Sequence, residues 1–196
     1  METSFIKQAR KTGRESFVVN GNAVGVSMAD YWAWACSDVI NNTERGKLAE
    51  FIVASALGVV DGVRSTWEKY DLLFMGRGVE VKSAAYVQAW HQAKPSPIVF
   101  SIRPTRGWDA ATGQYDAEQK RQADIYVFCL LAHTDHATLN PLDLGQWEFY
   151  IVPTAWLNKR LSSQKSVSLP FLRQNNITPT TYTEICSRVE DIFRQL

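Results

Sequence analysis

"TWEKYDLLFMGRGVEVKSAAYVQAW", residues 66–90, decides the fold. "YDLLF" and "VEVKSAA" are short apolar-rich runs separated by a glycine-containing turn, so the stretch predicts a β-hairpin. Gly76-Arg77 is the expected two-residue turn, with glycine at the first central position of a type II′ turn. That turn pairs Met75 with Gly78, Leu73 with Glu80 and Asp71 with Lys82. Residues two apart on a strand share a face. Asp71, Leu73, Glu80 and Lys82 then lie on one face, and Tyr70, Leu72, Phe74, Val79 and Val81 on the core face. A four-residue loop keeps this arrangement, whereas a three-residue loop inverts Asp71.

The charged face admits two chemistries. Asp71 opposite Lys82 makes an ordinary cross-strand ion pair on a solvated surface. Alternatively, two carboxylates that repel one another are held together by a divalent cation such as Mg2+, which prefers hard oxygen donors. Lys82 beside such an ion would hold or activate the attacking water, or stabilise charge on a phosphate. The three residues alone leave both open.

On the N-terminal side, "ERGKLAEFIVASAL" predicts a helix capped by Asn42 or Thr43 and ended by Gly58. Its wheel places Leu48, Phe51, Ile52 and Ser55 on one face. Glu50 falls on the other, among Gly46, Val53, Ala54 and Leu57. A carboxylate in apolar company is at a rim or aimed at a cation. An earlier helix is expected over Met28 to about Ile40, after a polar basic arm, residues 1–27, carrying Lys7, Arg10, Lys11 and Arg14.

On the C-terminal side a short helix is expected around Gln88. "SPIVFSI" (96–102) and "ADIYVFCLLA" (123–132) read as central strands buried on both faces, and "WEFYIVP" (147–153) as a further strand. The long polar connection between the first two predicts a helical piece near Ala117 to Gln122. Ile185, Val189, Ile192, Phe193 and Leu196 form one apolar stripe on a C-terminal helix. The order predicts an α/β sandwich with a mixed central β-sheet flanked by helices, a single domain over residues 28–196.

Twenty-one Lys plus Arg against twenty Asp plus Glu leave a net charge of +1, so any basic surface for a polyanion must be local. Arg103, Arg106, Lys120 and Arg121 bracket the long connection as candidate phosphate contacts. The arm is a second such segment, and Trp32, Trp34, Trp67, Trp90 and Trp108 are candidates for base stacking. His133, Asp135 and His136 lack further zinc ligands nearby and read as a solvated loop. Three scattered cysteines, no leader-like apolar core and no run near about 18 apolar residues predict a cytoplasmic protein with no membrane partner.

Residues 44–90, through "RGKLAEFIVASALG", "YDLLF" and "VEVKSAAYVQAW", resemble the PD-(D/E)xK, restriction-endonuclease-like nuclease superfamily, in which a helix Glu precedes a hairpin bearing Asp and then Glu-x-Lys. Tyr70 stands where the naming proline would be. "PLDLGQWEFYIVPT" is similar to bacterial members of the same superfamily. The resemblance implies Asp71, Glu80, Lys82 and Glu50 as catalytic residues, with Asp71, Glu80, Glu50 and the Val81 carbonyl as ligands of Mg2+ or Mn2+. It also sets Gln88 roughly where some members carry a helix glutamine near substrate, although Gln92 replaces the tyrosine that completes that pair. The expected function is hydrolysis of phosphodiester bonds in nucleic acid, DNA foremost. The competing reading is a non-catalytic nucleic-acid-binding or assembly module. A homodimer is expected where both strands of a duplex are cut.

Overall fold

The computed structural model describes residues 8–66, 68–109 and 113–196; Lys7 and Trp67 lie outside them. Strands β1 (Ser16–Val19) and β2 (Asn22–Ser27) form a hairpin within the segment expected to be an arm. Its turn is Asn20-Gly21, with φ of 50° and 82°, the left-handed pair that matches strand twist. Helix α1 (Met28–Cys36) follows at once, capped by Ser27 and Asp30 in a reciprocal capping box, and stops short of Ile40.

Helix α2 (Asn42–Ala56) is capped by Asn41, whose Oδ1 accepts from the Thr43 and Glu44 amides, one residue earlier than expected. Gly58, at φ 69°, takes the left-handed position after the helix. The core face is Ala49, Ile52 and Val53 rather than Leu48, Phe51, Ile52 and Ser55; Phe51 is 57% exposed. The rotation brings Ala54 and Leu57, which the wheel set around Glu50, into the interior.

Strands β3 (Leu72–Phe74) and β4 (Arg77–Ala85) form the predicted hairpin. A short β5 (Val99–Ser101) follows, then an antiparallel pair, β6 (Thr105–Asp109) and β7 (Gln114–Lys120), where a helical piece was expected. β8 (Ile125–Leu131) and β9 (Trp147–Pro153) complete a four-stranded mixed sheet in the order β3-β4-β8-β9. Only β4 and β8 run parallel. Each position of β8 is buried, which explains its continuous apolar run.

Helix α3 (Thr154–Arg160), β10 (Ser166–Ser168), α4 (Leu169–Gln174) and α5 (Ile185–Gln195) end the chain. α2 and α5 cover one sheet face, with Ile52, Val79, Val127, Phe149 and Val189 in its core. The other face packs Phe100, Phe128, Tyr150, Leu157 and Leu172. β5 is not a central strand. It pairs with β10 in a separate ribbon, and its Val99 is 49% exposed while Phe100 is buried, so one face only is covered. α5 buries its predicted stripe except Leu196, 49% exposed just past the helix end. No helix among the described residues is long and apolar enough to cross a membrane.

Candidate active site

The β3–β4 turn is Met75-Gly76, both left-handed at φ 51° and 75°, not Gly76-Arg77. The pairs are Phe74 with Arg77, Leu73 with Gly78 and Leu72 with Val79. Asp71 therefore does not oppose Lys82; continued pairing sets it level with Glu80. A shift of two residues leaves the paired residues of β3 and β4 on their predicted faces.

Local contacts account for this register. Asp71 Oδ2 accepts the Val81 amide at 2.7 Å, so a side chain replaces the ladder bond there and β3 begins only at Leu72. Asp124 grips Gly78 through its carboxylate (2.8 Å) and its amide (2.8 Å). The Tyr70 ring lies over Gly78 so closely that a Cβ there would come within 2.5 Å of it. Tyr70 is thus a lid on Gly78 and not the core residue expected.

The three charged groups meet at the sheet edge. Lys82 Nζ lies 2.5 Å from Glu80 Oε1, 3.2 Å from the Val81 carbonyl oxygen and 3.6 Å from Asp71 Oδ2. All three side chains are about two-thirds or more covered, with 31% of Lys82, 21% of Asp71 and 20% of Glu80 accessible. Tyr126 and Phe128 pair with Glu80 and Lys82 across the parallel ladder and share their face. This aromatic wall supplies the low-dielectric side of the site. Tyr126 was not singled out from sequence, because "DIYVFCLLA" gives no sign of which strand it joins.

Burial raises the Glu80 carboxyl above its ordinary value, with the Asp71 charge adding to it and Lys82 opposing. Burial pulls Lys82 down, but the Asp71 and Glu80 carboxylates outweigh it and hold the amine above its usual range. Lys82 is an ammonium at neutral pH. Tyr126 is raised by burial first and Glu80 second.

Glu50 lines a cleft of about 420 Å3 together with Asp71, Arg64, Lys47 and Leu73. Its carboxylate is held by Arg64, Nε at 2.5 Å and Nη2 at 2.7 Å. Arg64 sits in a loop without periodic pattern and carried no sequence signal. Among the described residues no three His, Cys, Asp or Glu side chains form a ready metal cluster. The Lys82 cation stands between Asp71 and Glu80, and that of Arg64 rests on Glu50.

Gln88 lies in an irregular segment rather than a helix. Its Nε2 donates to the Ala85 carbonyl, its Oε1 accepts from Arg45, and its amide donates to Gln92 Oε1. Arg103 and Lys120 are exposed at the base of the β6–β7 hairpin, as is Arg106. Arg121, expected on the same rim, is instead 6% exposed, its guanidinium donating to the carbonyls of Ile102, Leu161 and Gln164 and to Asn158 Oδ1. His133 bonds Thr138 within a surface loop, and Asp135 accepts from Thr138 and the Ala137 amide. Trp34 and Trp90 are 84% and 55% exposed, whereas Trp108 packs on Tyr115.

No curated protein and no solved structure matches the chain. The family model of bacteriophage T4 endonuclease IV matches residues 23–170, well over half of the chain. The matched span runs from β2 to the start of α4 and contains the hairpin, α2 and the strand that walls the charged site. This chain belongs to the bacteriophage T4 endonuclease IV family, and with it to the nucleases.

Proposed function

We propose that the chain is a Mg2+- or Mn2+-dependent phosphodiesterase acting on DNA, with a site of PD-(D/E)xK type at the β3–β4 edge. One observation carries the reading. The Lys82 ammonium rests on Glu80 Oε1, the Val81 carbonyl and Asp71 Oδ2, the same three oxygens that the resemblance assigns to a divalent ion. The donor set is two carboxylates and a backbone carbonyl gathered around a positive charge, which fits a hard cation. Glu50 lines the adjoining cleft as a further oxygen donor once Arg64 turns away to a phosphate.

A bound divalent ion supplies Lewis-acid stabilisation of charge on the phosphoryl oxygens. Asp71 and Glu80 would hold it, and the Val81 amide fixes the Asp71 carboxylate. Lys82, tethered one residue from Val81, would hydrogen-bond the attacking water and the phosphate oxygens. Water oxygen bonds to phosphorus, the bond to the leaving oxygen breaks, and a proton from that water ends on the leaving oxygen. Tyr126 and Phe128 exclude bulk water from behind the carboxylates.

The test is a substrate panel of supercoiled, linear, single-stranded and branched DNA, with RNA alongside, incubated with Mg2+ or Mn2+. Wild type should cleave at least one member and Lys82→Ala none, with unchanged circular dichroism. Undiminished cleavage by Lys82→Ala would place the chemistry elsewhere. A Mn2+-dependent melting shift that survives in Asp71→Ala would remove the metal site.

A further inference from the structure

We infer that Arg45 anchors a second phosphate of the substrate, in a subsite of its own beside the hydrolytic site. The hollow holding it, about 350 Å3, is lined by Asn42 and Arg45 of α2, Ser83 of β4, and Gln88, Trp90 and Ser96 of the segment that follows. Assigning the phosphate to a nucleic-acid chain rests on the proposed function; the preference for an anion does not.

Arg45 is 3% exposed and has no carboxylate partner among the described ion pairs. Its neighbour Glu44 pairs with Lys47 instead. Nη1 donates to the Ile40 carbonyl at 2.8 Å and to Gln88 Oε1 at 3.3 Å, and Nη2 to Asn42 Oδ1 at 2.5 Å. Nε is buried and has no acceptor among the described residues.

The other buried arginine shows how this chain treats a guanidinium that is purely structural. In Arg121 every nitrogen has an acceptor, four in total. Arg45 has an orphaned donor among the described residues, and burial lowers its proton affinity. A buried cation left in that condition carries an uncompensated desolvation cost at its orphaned Nε. An oxyanion in the hollow relieves it, and guanidinium is the side chain whose fork matches phosphate. The N-terminus of α2 adds positive potential on the same side.

Both walls of the hollow continue to the hydrolytic site. Ser83 to Ala85 follow Lys82 on β4, within about 10 Å at roughly 3.3 Å per residue. Glu50 lies five residues along α2 from Arg45, about 7.5 Å of helix. A strand of nucleic acid that crosses the sheet edge with its scissile phosphate at Lys82 would bring a neighbouring phosphate to Arg45.

The experiment needs no cleavage, so it stays informative if the hydrolytic reading fails. Oligonucleotide binding is measured without divalent ions, by anisotropy, on wild type and Arg45→Met. Each phosphate is replaced in turn by neutral methylphosphonate, and a further pair of probes carries or lacks a terminal phosphate. At one position neutralisation should weaken wild-type binding about tenfold and Arg45→Met binding less than twofold. The position so identified, internal or terminal, distinguishes a phosphodiester from an end phosphate. A Gln88→Glu variant supplies an internal carboxylate beside Arg45, and should lose the same position-specific effect while remaining folded. That comparison serves if Arg45→Met does not fold. Position-specific effects equal in wild type and the variants would overturn the assignment and leave Arg45 a structural residue.

Discussion

Replacing Lys82 by Met removes the ammonium from between Asp71 and Glu80 and keeps most of the aliphatic stem. At an effective dielectric of about 20, unit charges attract by about 5 kcal/mol at 3.6 Å and about 7 kcal/mol at 2.5 Å. Most of that is offset by the desolvation of groups that are only 20% to 31% accessible. Truncating one partner of a buried pair costs about 3–5 kcal/mol, and the remaining solvent contact here reduces it to about 2–3 kcal/mol. For a chain of this length, melting should fall by roughly 4–12 °C in metal-free buffer. Mn2+ should then recover more stability in Lys82→Met than in wild type, because no tethered cation has to be displaced. Urea denaturation with EDTA and with Mn2+, on both proteins, measures all four free energies. Metal-free stability equal to wild type, with an equal Mn2+ increment, would refute the idea that Lys82 occupies the cation position.

Arg64→Ala should cost less than about 1 kcal/mol, because the Arg64 side chain is 40% exposed. It should nevertheless tighten Mn2+ binding by freeing Glu50, and calorimetry reads this directly. Gly78→Ala forces a methyl into the Tyr70 ring, with an expected loss of about 1–3 kcal/mol by melting; an unchanged melting temperature would mean that Tyr70 is not a lid. Glu80 titrates above its ordinary 4.5 in the folded protein. Its protonated form is thus favoured by folding, and wild-type stability falls as pH rises from about 4.5 through the raised value. Glu80→Gln lacks this slope, so its metal-free stability relative to wild type should improve between pH 4.5 and 7. A pH-independent difference would contradict the buried-carboxylate assignment.

The faces of the hairpin were legible because side-chain alternation has a period of two, and a register error of two residues does not disturb it. The turn itself was not. Met75 at φ 51° is an unusual occupant of a left-handed position. It is imposed by Asp124 and Tyr70, which grip Gly78 from distant or irregular segments. Conversely, "VVNGNAV" carried the Asn-Gly signature of β1–β2 in plain sight, yet the surrounding basic residues suggested an arm. β8 was readable as a buried run and β9 as a strand. β5 was not, since half of "SPIVFSI" faces solvent and its partner lies near Val167. At the site, Asp71, Glu80 and Lys82 are local in sequence. Arg64, Tyr126 and Arg45 owe their positions to tertiary packing that no short-range pattern encodes.

The parallel β4–β8 pairing has a consequence for how the molecule matures. Gly78 and Asp124 are 46 residues apart, and parallel strands cannot form until the intervening loop closes. The Asp71–Glu80–Lys82 hairpin can start from its own turn in microseconds, before Asp124 arrives to fix its register. The charged triad is thus born in water, where its groups attract only weakly. Docking of β8 then brings Tyr126 and Phe128 against it and converts a solvated cluster into a tightly coupled one. In this chain the electrostatic strength of the site is a late product of folding, set by a strand that contributes no charge of its own.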